Sequence, residues 1–510
     1  MLKRSIPFVL VVFMLLTSLV ACGTDGTDAG DIGDVGGVVS TAGSESDKYA
    51  IGDAVGTRDY GGKVVTIGHC GHDGYTGEIS VGTLTGDLVD DAIYTRNLTV
   101  SERLNIKLED NRISGNHYSV KDKIRTDAQG GTKSFDIAYS ALYILCGLNI
   151  EGLYYDLNDC EDINFEQPYW GGYASEALEI GGIQYNATGS LCLNFYKYVH
   201  ATVVNSKILD ETMGEKPDLF KVVKDGEWTL EYQTKLANDY YQDLGDPGKD
   251  EVSDVIGFYG YAGGISCDSY LSACNVPIIS KNSMGYLTVG IDTERMSRAA
   301  DAVIALHTAE GAVMQTASKN QADLAVGFTE GNIFMTTLNF GHISDILNTM
   351  EDKYLILPIP KLDTQQDDYY SFLHDGATAV SIPVTVAQED VQMVGAVMEC
   401  LASEGYRLMA PAYYETVLKG RAISDPENWE VIDNIFANVL MDPMTPYAAS
   451  LKVNGEGPIA HWRSVIKSSV NDGANVFGST FNAQYIVQLS TVINSETGLN
   501  AFYRAKNAGN

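Results

Sequence analysis

Apolar residues recur along this chain in two rhythms, period two and period near 3.6, and their order predicts an α/β body. Residues 63–68 (Lys-Val-Val-Thr-Ile-Gly) read as a short strand. Across 87–105, Val89, Ile93, Val100 and Leu104 fall at helical spacing. Residues 105–108 then alternate like a strand, and a helix over about 120–128 stops at Gly130-Gly131. Residues 135–139 form the next strand. Strand, helix, strand, helix, strand implies parallel pairing in an α/β sheet. Further on, 181–187 read as a turn and a strand. Thr229 is set to cap a helix that carries Glu231 in its first turn. Residues 328–337 and 354–359 look strand-like, the latter stopped by Pro360. Residues 376–383 form another strand, leading into a helix over about 387–409. No internal repeat is visible.

The N-terminus follows a different pattern. Lys3 and Arg4 precede an apolar stretch over 6–16, broken only by Pro7, and Leu19-Val20-Ala21-Cys22 closes it. Charged, then apolar, then small is the order of a secretory signal, and the stretch is shorter than a membrane span. The small residue before Cys22 resembles a bacterial lipobox, which implies diacylation of Cys22 as the new N-terminus. An ordinary signal peptide with a chance cysteine is the alternative. Residues 23–48 are rich in Gly, Asp, Ser and Thr, with Asp25, Asp28, Asp31 and Asp34 and no base before Lys48. Such a segment cannot fold. It begins a flexible acidic linker over 23–58, and its own length would hold the body roughly 25–30 Å from a membrane.

Composition narrows the function. The chain has 510 residues, 45% of them apolar, so it can build a large core in two or three domains. Its formal charge is -33, from 67 acids against 34 bases, which disfavours nucleic acid and anionic lipid surfaces. Lipidation of Cys22 would leave seven scattered cysteines, too few for a disulfide scaffold. A Cys267–Cys274 bridge and a set of buried thiols are the two readings. Tyrosine is frequent, 30 against 15 Phe and 4 Trp. This fits either a sugar-binding cleft, which needs flat apolar faces with hydroxyls, or a merely Tyr-rich extracellular composition.

No catalytic signature is present: no His-Glu-x-x-His, Gly-x-Ser-x-Gly, Walker A loop or Gly-x-Gly-x-x-Gly. His69-Cys70-Gly71-His72-Asp73 is the one metal-like cluster, but it lacks the second ligand pair that structural zinc needs. No metal or cofactor is expected. A glycosidase would need paired carboxylates. Among 67 acids only Asp375, beside His374 and Gly376 ahead of a strand, stands out, and a solvated loop acid is its other reading.

Several segments, taken in order, resemble the family 1 extracellular solute-binding proteins, the maltose and multiple-sugar type that serve ABC importers. They are Asp91-Ala92-Ile93-Tyr94 through Glu102-Arg103-Leu104-Asn105-Ile106, Phe135-Asp136-Ile137, and Pro168-Tyr169-Trp170 followed by Gly181-Gly182 and Tyr185. Gly226-Glu227-Trp228-Thr229, Phe328-Thr329-Glu330-Gly331-Asn332-Ile333-Phe334-Met335, and Pro411-Ala412-Tyr413-Tyr414-Glu415 with Leu418-Lys419-Gly420 complete the series. The resemblance covers about 60–450. It implies an α/β, two-lobe periplasmic-binding-protein-like fold of type II, with a ligand cleft between lobes and a hinge of crossing segments. Lobe one would hold 60–185 and 378–435, and lobe two 200–370 and 440–510. Hinges would fall near 187–203 and 374–379.

The same resemblance implies a non-enzymatic, monomeric receptor. It would be lipid-anchored on the extracellular face of a Gram-positive cell membrane, capture a small solute, chiefly an oligosaccharide, and deliver it to ABC permease subunits. A surface glycosidase and a sensory or adhesive lipoprotein are the alternatives. The placement nominates Tyr139, Tyr143, Trp170, Phe340, Tyr370, Asp375 and Tyr413 for the ligand. Phe340 stands where sugar binders of this family often carry Trp, and Trp228 is expected to pack inward.

Overall fold

A computed structural model describes residues 49–71, 78–211, 216–245, 254–261, 265–314, 321–419 and 426–509. The signal segment, Cys22 and the linker as far as Lys48 therefore lie outside the described residues. No helix among the described residues is long and apolar enough to cross a membrane.

Two sheets organise the body. The first has four strands in the order Thr378–Ser381, Ile137–Ala141, Lys63–Cys70, Ile106–Ile113. Lys63–Cys70 pairs in parallel with both neighbours, Lys63 opposite Ile106 and Ile67 opposite Ile137, while Thr378–Ser381 closes the edge antiparallel. The second has five strands in the order Tyr354–Leu357, His200–Asn205, Ile333–Asn339, Ile256–Gly260, Ala312–Met314, with a parallel core and an antiparallel flank. Burial follows position. Every residue of the central strands Ile137–Ala141 and Ile333–Asn339 is buried, as expected for strands covered on both faces. The edge strand Ile106–Ile113 turns Lys107, Glu109 and Asp110 outward.

Helices cover these sheets for legible reasons. In Leu88–Leu104 the side chain of Asp87 caps Val89 and Asp90 N–H, and Asn105 ends the helix in the left-handed region at φ 44°. The buried face of this helix carries Val89, Ile93, Val100 and Leu104, as the spacing predicts, but also Arg96. That guanidinium is satisfied by the carbonyls of Leu191, Glu78 and Ile79, at 3.1, 3.3 and 3.4 Å, so it fastens neighbouring segments. Thr229 caps Leu230–Asp239 by accepting from Tyr232 N–H, and Trp228 is fully buried.

Two expectations fail. Residues 181–187 make only isolated bridges, Ile180 with Ile183 and Ala187 with Val380, because the chain turns at Gly181 and Gly182. Phe328 and Thr329 end the helix Gln321–Thr329, and the strand starts only at Ile333, after Gly331. All seven described cysteines are buried and none forms a disulfide, so Cys267 and Cys274 are not bridged; seven residues apart on one helical run, they sit two turns from each other.

The chain passes between the sheets three times. Residues 187–199 run beside Thr378–Ser381, exchanging backbone bonds between Ala187 and Val380, then hand Val199 O to Phe340 N–H at 2.9 Å in the second lobe. Residues 374–377 run with them, His374 N–H donating to Tyr198 O. The third passage is helical. Val391–Glu404 packs on the first lobe, widens into a π-helical turn at Gly405–Met409, and continues as Ala410–Lys419. Helix Pro426–Ala437 then packs on the Tyr354–Leu357 edge of the second sheet, before the expected lobe-one limit of 435. A further tie lies on the flank. Fully buried Asn149 of the first lobe donates to Tyr447 and Tyr503 hydroxyls, at 3.3 and 3.0 Å, and Tyr447 donates to Leu178 O.

Gly405 is a point of close approach: a Cβ there would stand 2.1 Å from the carbonyl oxygen of Ser190 in the first passage. Gly405→Ala should therefore cost about 1–3 kcal/mol by forcing two crossing segments apart. Urea denaturation measures it, and an unchanged midpoint would refute the contact.

Candidate functional site

In open α/β sheets, ligands gather at strand C-termini, and here those ends face one another. In the first lobe, the Ile106–Ile113 strand leads to helix His117–Gly130, and Ile137–Ala141 leads directly to Tyr143. In the second, Ile256–Gly260 leads to helix Ile265–Ala273, which carries Asp268. Segments 72–77, 262–264 and 315–320, which also leave strand ends, are outside the described residues. His72 and Asp73 of the metal-like cluster fall among them. His69 is buried in the first lobe with its ring nitrogens on Cys70 O and Asp110. Among the described residues no group of three His, Cys, Asp or Glu could hold a metal ion.

The first-lobe wall is a three-ring cluster. Asn116 caps its helix by accepting from Tyr118 N–H at 3.0 Å, which fixes His117 and Tyr118 at the helix start. The His117 ring lies 4.8 Å from Tyr118 and 5.5 Å from Tyr143, and the two tyrosines are 6.2 Å apart. Tyr143 hydroxyl bonds His117 Nε2. Tyr118 remains 46% exposed, with the Lys121 ammonium 5.2 Å from its ring.

The second passage forms the floor. Tyr143 N–H donates to Asp375 O, and the rings of Tyr198 and His374 stack at 5.6 Å. His374 Nδ1 accepts from Gly376 N–H at 2.8 Å, so that nitrogen carries no proton. Burial, with Arg463 assisting, pushes His374 down to about 3, and the ring is neutral. Its 3.3 Å contact with Asp375 is accordingly no ion pair. A Cβ on Gly376 would stand 2.8 Å from the Tyr198 ring, which leaves glycine alone here. The Asp375 side chain is 31% exposed. Burial pushes it up to about 6, while Arg463 of the second lobe and His117 of the first hold it down, so it feels both walls.

Arg463 is the second-lobe charge. It projects from helix Pro458–Asp472, whose Trp462 Nε1–H donates to Cys267 O at 2.9 Å. Its Nε reaches both oxygens of fully buried Asp268, at 2.9 and 3.0 Å, in a charge-assisted pair. Burial drives Asp268 up and Arg463 opposes it.

Of the nominated residues, the structure brings Tyr143 and Asp375 together. Tyr370 is half-buried near Asp368 and Tyr173. The other four are corrections. Trp170 is fully buried and its Nε1–H donates to Glu399 at 2.8 Å. Phe340 is buried 4.7 Å from Phe436. Tyr413 packs on Tyr196, and Tyr139 donates to buried Glu78. Each has an inward partner that takes the ring from the cleft. Sequence reasoning missed Tyr118, His117, Tyr198 and Arg463; of these only Tyr118 and His117 left a signal, their place at a helix start after a strand. A cavity of about 530 Å³ lies elsewhere, between helices Leu219–Lys224 and Pro426–Ala437. Its lining includes none of the groups placed above at the interlobe site, and it meets the second sheet only at the end of the edge strand, through Pro358, so the interlobe site is the stronger candidate.

No family model matches the chain, and no curated protein matches it. Solved structures do. A cyclo/maltodextrin-binding protein complexed with maltotetraose aligns at TM-score 0.56 and 12% identity, over 85% of this chain and 97% of that one. An open-form sugar transporter of Rhizobium etli gives 0.56 and 12%, over 85% and 99%. Maltose-bound MalE3 of T. maritima gives 0.51 and 13%, over 84% and 98%. At such identities the likeness shows the fold: two α/β lobes with a cleft between them.

Asp375 ties the site to pH. Its folded value, about 6, lies above the ordinary carboxylate value of about 3.9. The folded state thus binds this proton more tightly, and its contribution falls as pH rises from about 4 through about 6. Asp375→Asn should remove that part of the decline. Urea midpoints across this window measure it, and parallel profiles for the two proteins would contradict the assignment.

Proposed function

We propose that this chain is a membrane-tethered, non-enzymatic solute receptor that captures an oligosaccharide between its lobes and delivers it to an ABC-type permease. The observation that carries this reading is the cleft itself. An accessible tyrosine face at Tyr118, backed by His117 and Tyr143, stands across from Asp375 and the Arg463–Asp268 pair. Aromatic faces meet the C–H patches of a sugar, and a few placed polar groups meet its hydroxyls. The fold is shared with proteins whose structures hold maltotetraose, maltose and, for the GacH receptor of Streptomyces glaucescens, acarbose.

On this reading lobe one comprises the body around the first sheet, 60–185 and from 378, and lobe two 200–370 with the C-terminal segment. Ligand contacts come from Tyr118, His117, Tyr143, Tyr198, Asp375 and Arg463, with Tyr370 at the rim. The glycosidase alternative needs two accessible carboxylates. Asp268 is sealed in its pair with Arg463, so among the described groups placed at the site Asp375 stands without a second accessible acid.

A thermal-shift panel of neutral oligosaccharides, beginning with maltotetraose, tests the reading, since a ligand of the folded state raises apparent stability. With the ligand that registers, Tyr118→Ala should weaken binding about tenfold or more, on the order of 1.4 kcal/mol, without unfolding the body. No shift across the panel, or unchanged affinity by calorimetry, would count against it.

The tether belongs to the same proposal. Two acyl chains on Cys22 would anchor the protein stably where one would not, on the outer face of a single cytoplasmic membrane. Cys22→Ser should move the protein from the membrane fraction to the medium; continued fractionation with lipid would remove the lipobox from the account.

A further inference from the structure

The first described residues do not simply lead into one lobe. Asp53 grips the first lobe. Its buried carboxylate meets Arg103 Nη1 at 2.8 Å and accepts from Val55 N–H at 3.0 Å, and Ser403 Oγ donates to it. Arg103 belongs to Leu88–Leu104 and Ser403 to Val391–Glu404, both first-lobe helices. Four residues earlier, Tyr49 reaches past that lobe. Its ring lies 5.1 Å from Tyr406, in the π-helical turn of the third passage, and 6.0 Å from Tyr414 beyond it. Its hydroxyl is 3.5 Å from Asp433, on the helix that packs against the second sheet.

Tyr49 is also the outer end of a continuous column of rings. Tyr414 lies 5.0 Å from Phe436 and 5.8 Å from Tyr196, and Phe436 lies 4.7 Å from Phe340. Tyr196 belongs to the first passage, Phe436 and Phe340 to the second lobe. Any rotation of the lobes about their crossing segments must shear this column, because its members belong to parts that move relative to one another. Close-packed rings do not deform continuously.

We propose that residues 49–53 form a strap that couples the N-terminal tether to the hinge, with Asp53 held by the first lobe and Tyr49 plugged into the aromatic column shared with the second. Lobe rotation expels Tyr49 from the column, and reseating Tyr49 favours the lobe arrangement seen here. Release also lengthens the tether by the four residues before Asp53, roughly 13 Å at full extension. The inference goes beyond ligand capture and does not depend on what the cleft binds.

Hydrogen exchange on the full chain without ligand tests it. Tyr49→Ala should speed exchange about tenfold through 406–414, whose rings it touches, and, one ring further along the column, at Tyr196–Val199, as expected for the loss of two ring contacts. Tyr49→Phe, which keeps the ring, should match the wild type. Faster exchange confined to 49–60 would overturn the proposal and leave the segment as a simple attachment. Should Tyr49→Ala fail to fold, Asp53→Asn decides: freeing the first-lobe grip must also loosen the crossing segments, and unchanged exchange there sinks the strap. The readout needs no ligand, so its failure is distinct from a failure of the oligosaccharide reading.

Discussion

The buried carboxylate of Glu78 holds together the segments on which the two-lobe arrangement depends. It accepts from Asn194 N–H at 3.2 Å in the first passage and from Thr378 Oγ1 at 3.3 Å at the end of the second, and Tyr139 of the first sheet donates to it. One side chain thus joins a central strand to two of the three strands of chain that cross between lobes. Removing a carboxylate from water is costly unless donors replace the water, and burial does push this one up to about 7. Three donors, all on Oε2, offset part of that cost, while Oε1 has no partner among the described residues, and Arg96, equally buried, braces the backbone of Glu78 and Leu191 from the helix above. A polar cluster in such a place fixes direction: three donors from three segments can be met together in only one arrangement.

That arrangement decides what the cleft presents. With 187–199 and 374–377 held side by side, Tyr198 must lie on His374, and Asp375 must emerge between the Tyr143 wall and Arg463. The cleft chemistry is therefore set from beneath, by backbone pairing in the hinge, more than by the lobes that face it. The flank tie through Asn149, Tyr447 and Tyr503 adds a limit. Its groups are fully buried, so the lobes can separate there only by exposing polar atoms or by pivoting about the tie.

Local structure was legible in the sequence where local chemistry decides it. Thr229 caps the helix it was expected to cap, and the strand–helix alternation gives the first sheet. The misread stretches were those where glycine turns the chain, at 181–182 and 331, since apolar residues around a turn resemble a strand. The site was less legible, for a physical reason. Whether an aromatic at a strand end faces ligand or core depends on a partner that can lie hundreds of positions away. Trp170 is held inward by Glu399, 229 residues on. Arg463 looks like any base on an amphipathic helix until Asp268, 195 residues earlier, is brought beneath it.

The balance of charge in the cleft bears on what can occupy it. The chain carries -33 overall, yet the described groups around Asp375 are nearly balanced: His374 is uncharged, Arg463 is matched by Asp268, and Asp375 is held close to the boundary between its charged and neutral forms. A polyanion would meet a repulsive field on approach and, in Arg463, a guanidinium already paired with Asp268. A strongly cationic ligand would be drawn in by the same field but would find Arg463 at the wall. A neutral ligand escapes both costs, and for it the exposed Tyr118 face and the hydroxyl-competent Asp375 oxygens supply contact without uncompensated burial of charge. The electrostatics of the cleft and the flatness of its aromatic wall thus select for the same kind of molecule, one recognised by faces and hydroxyls.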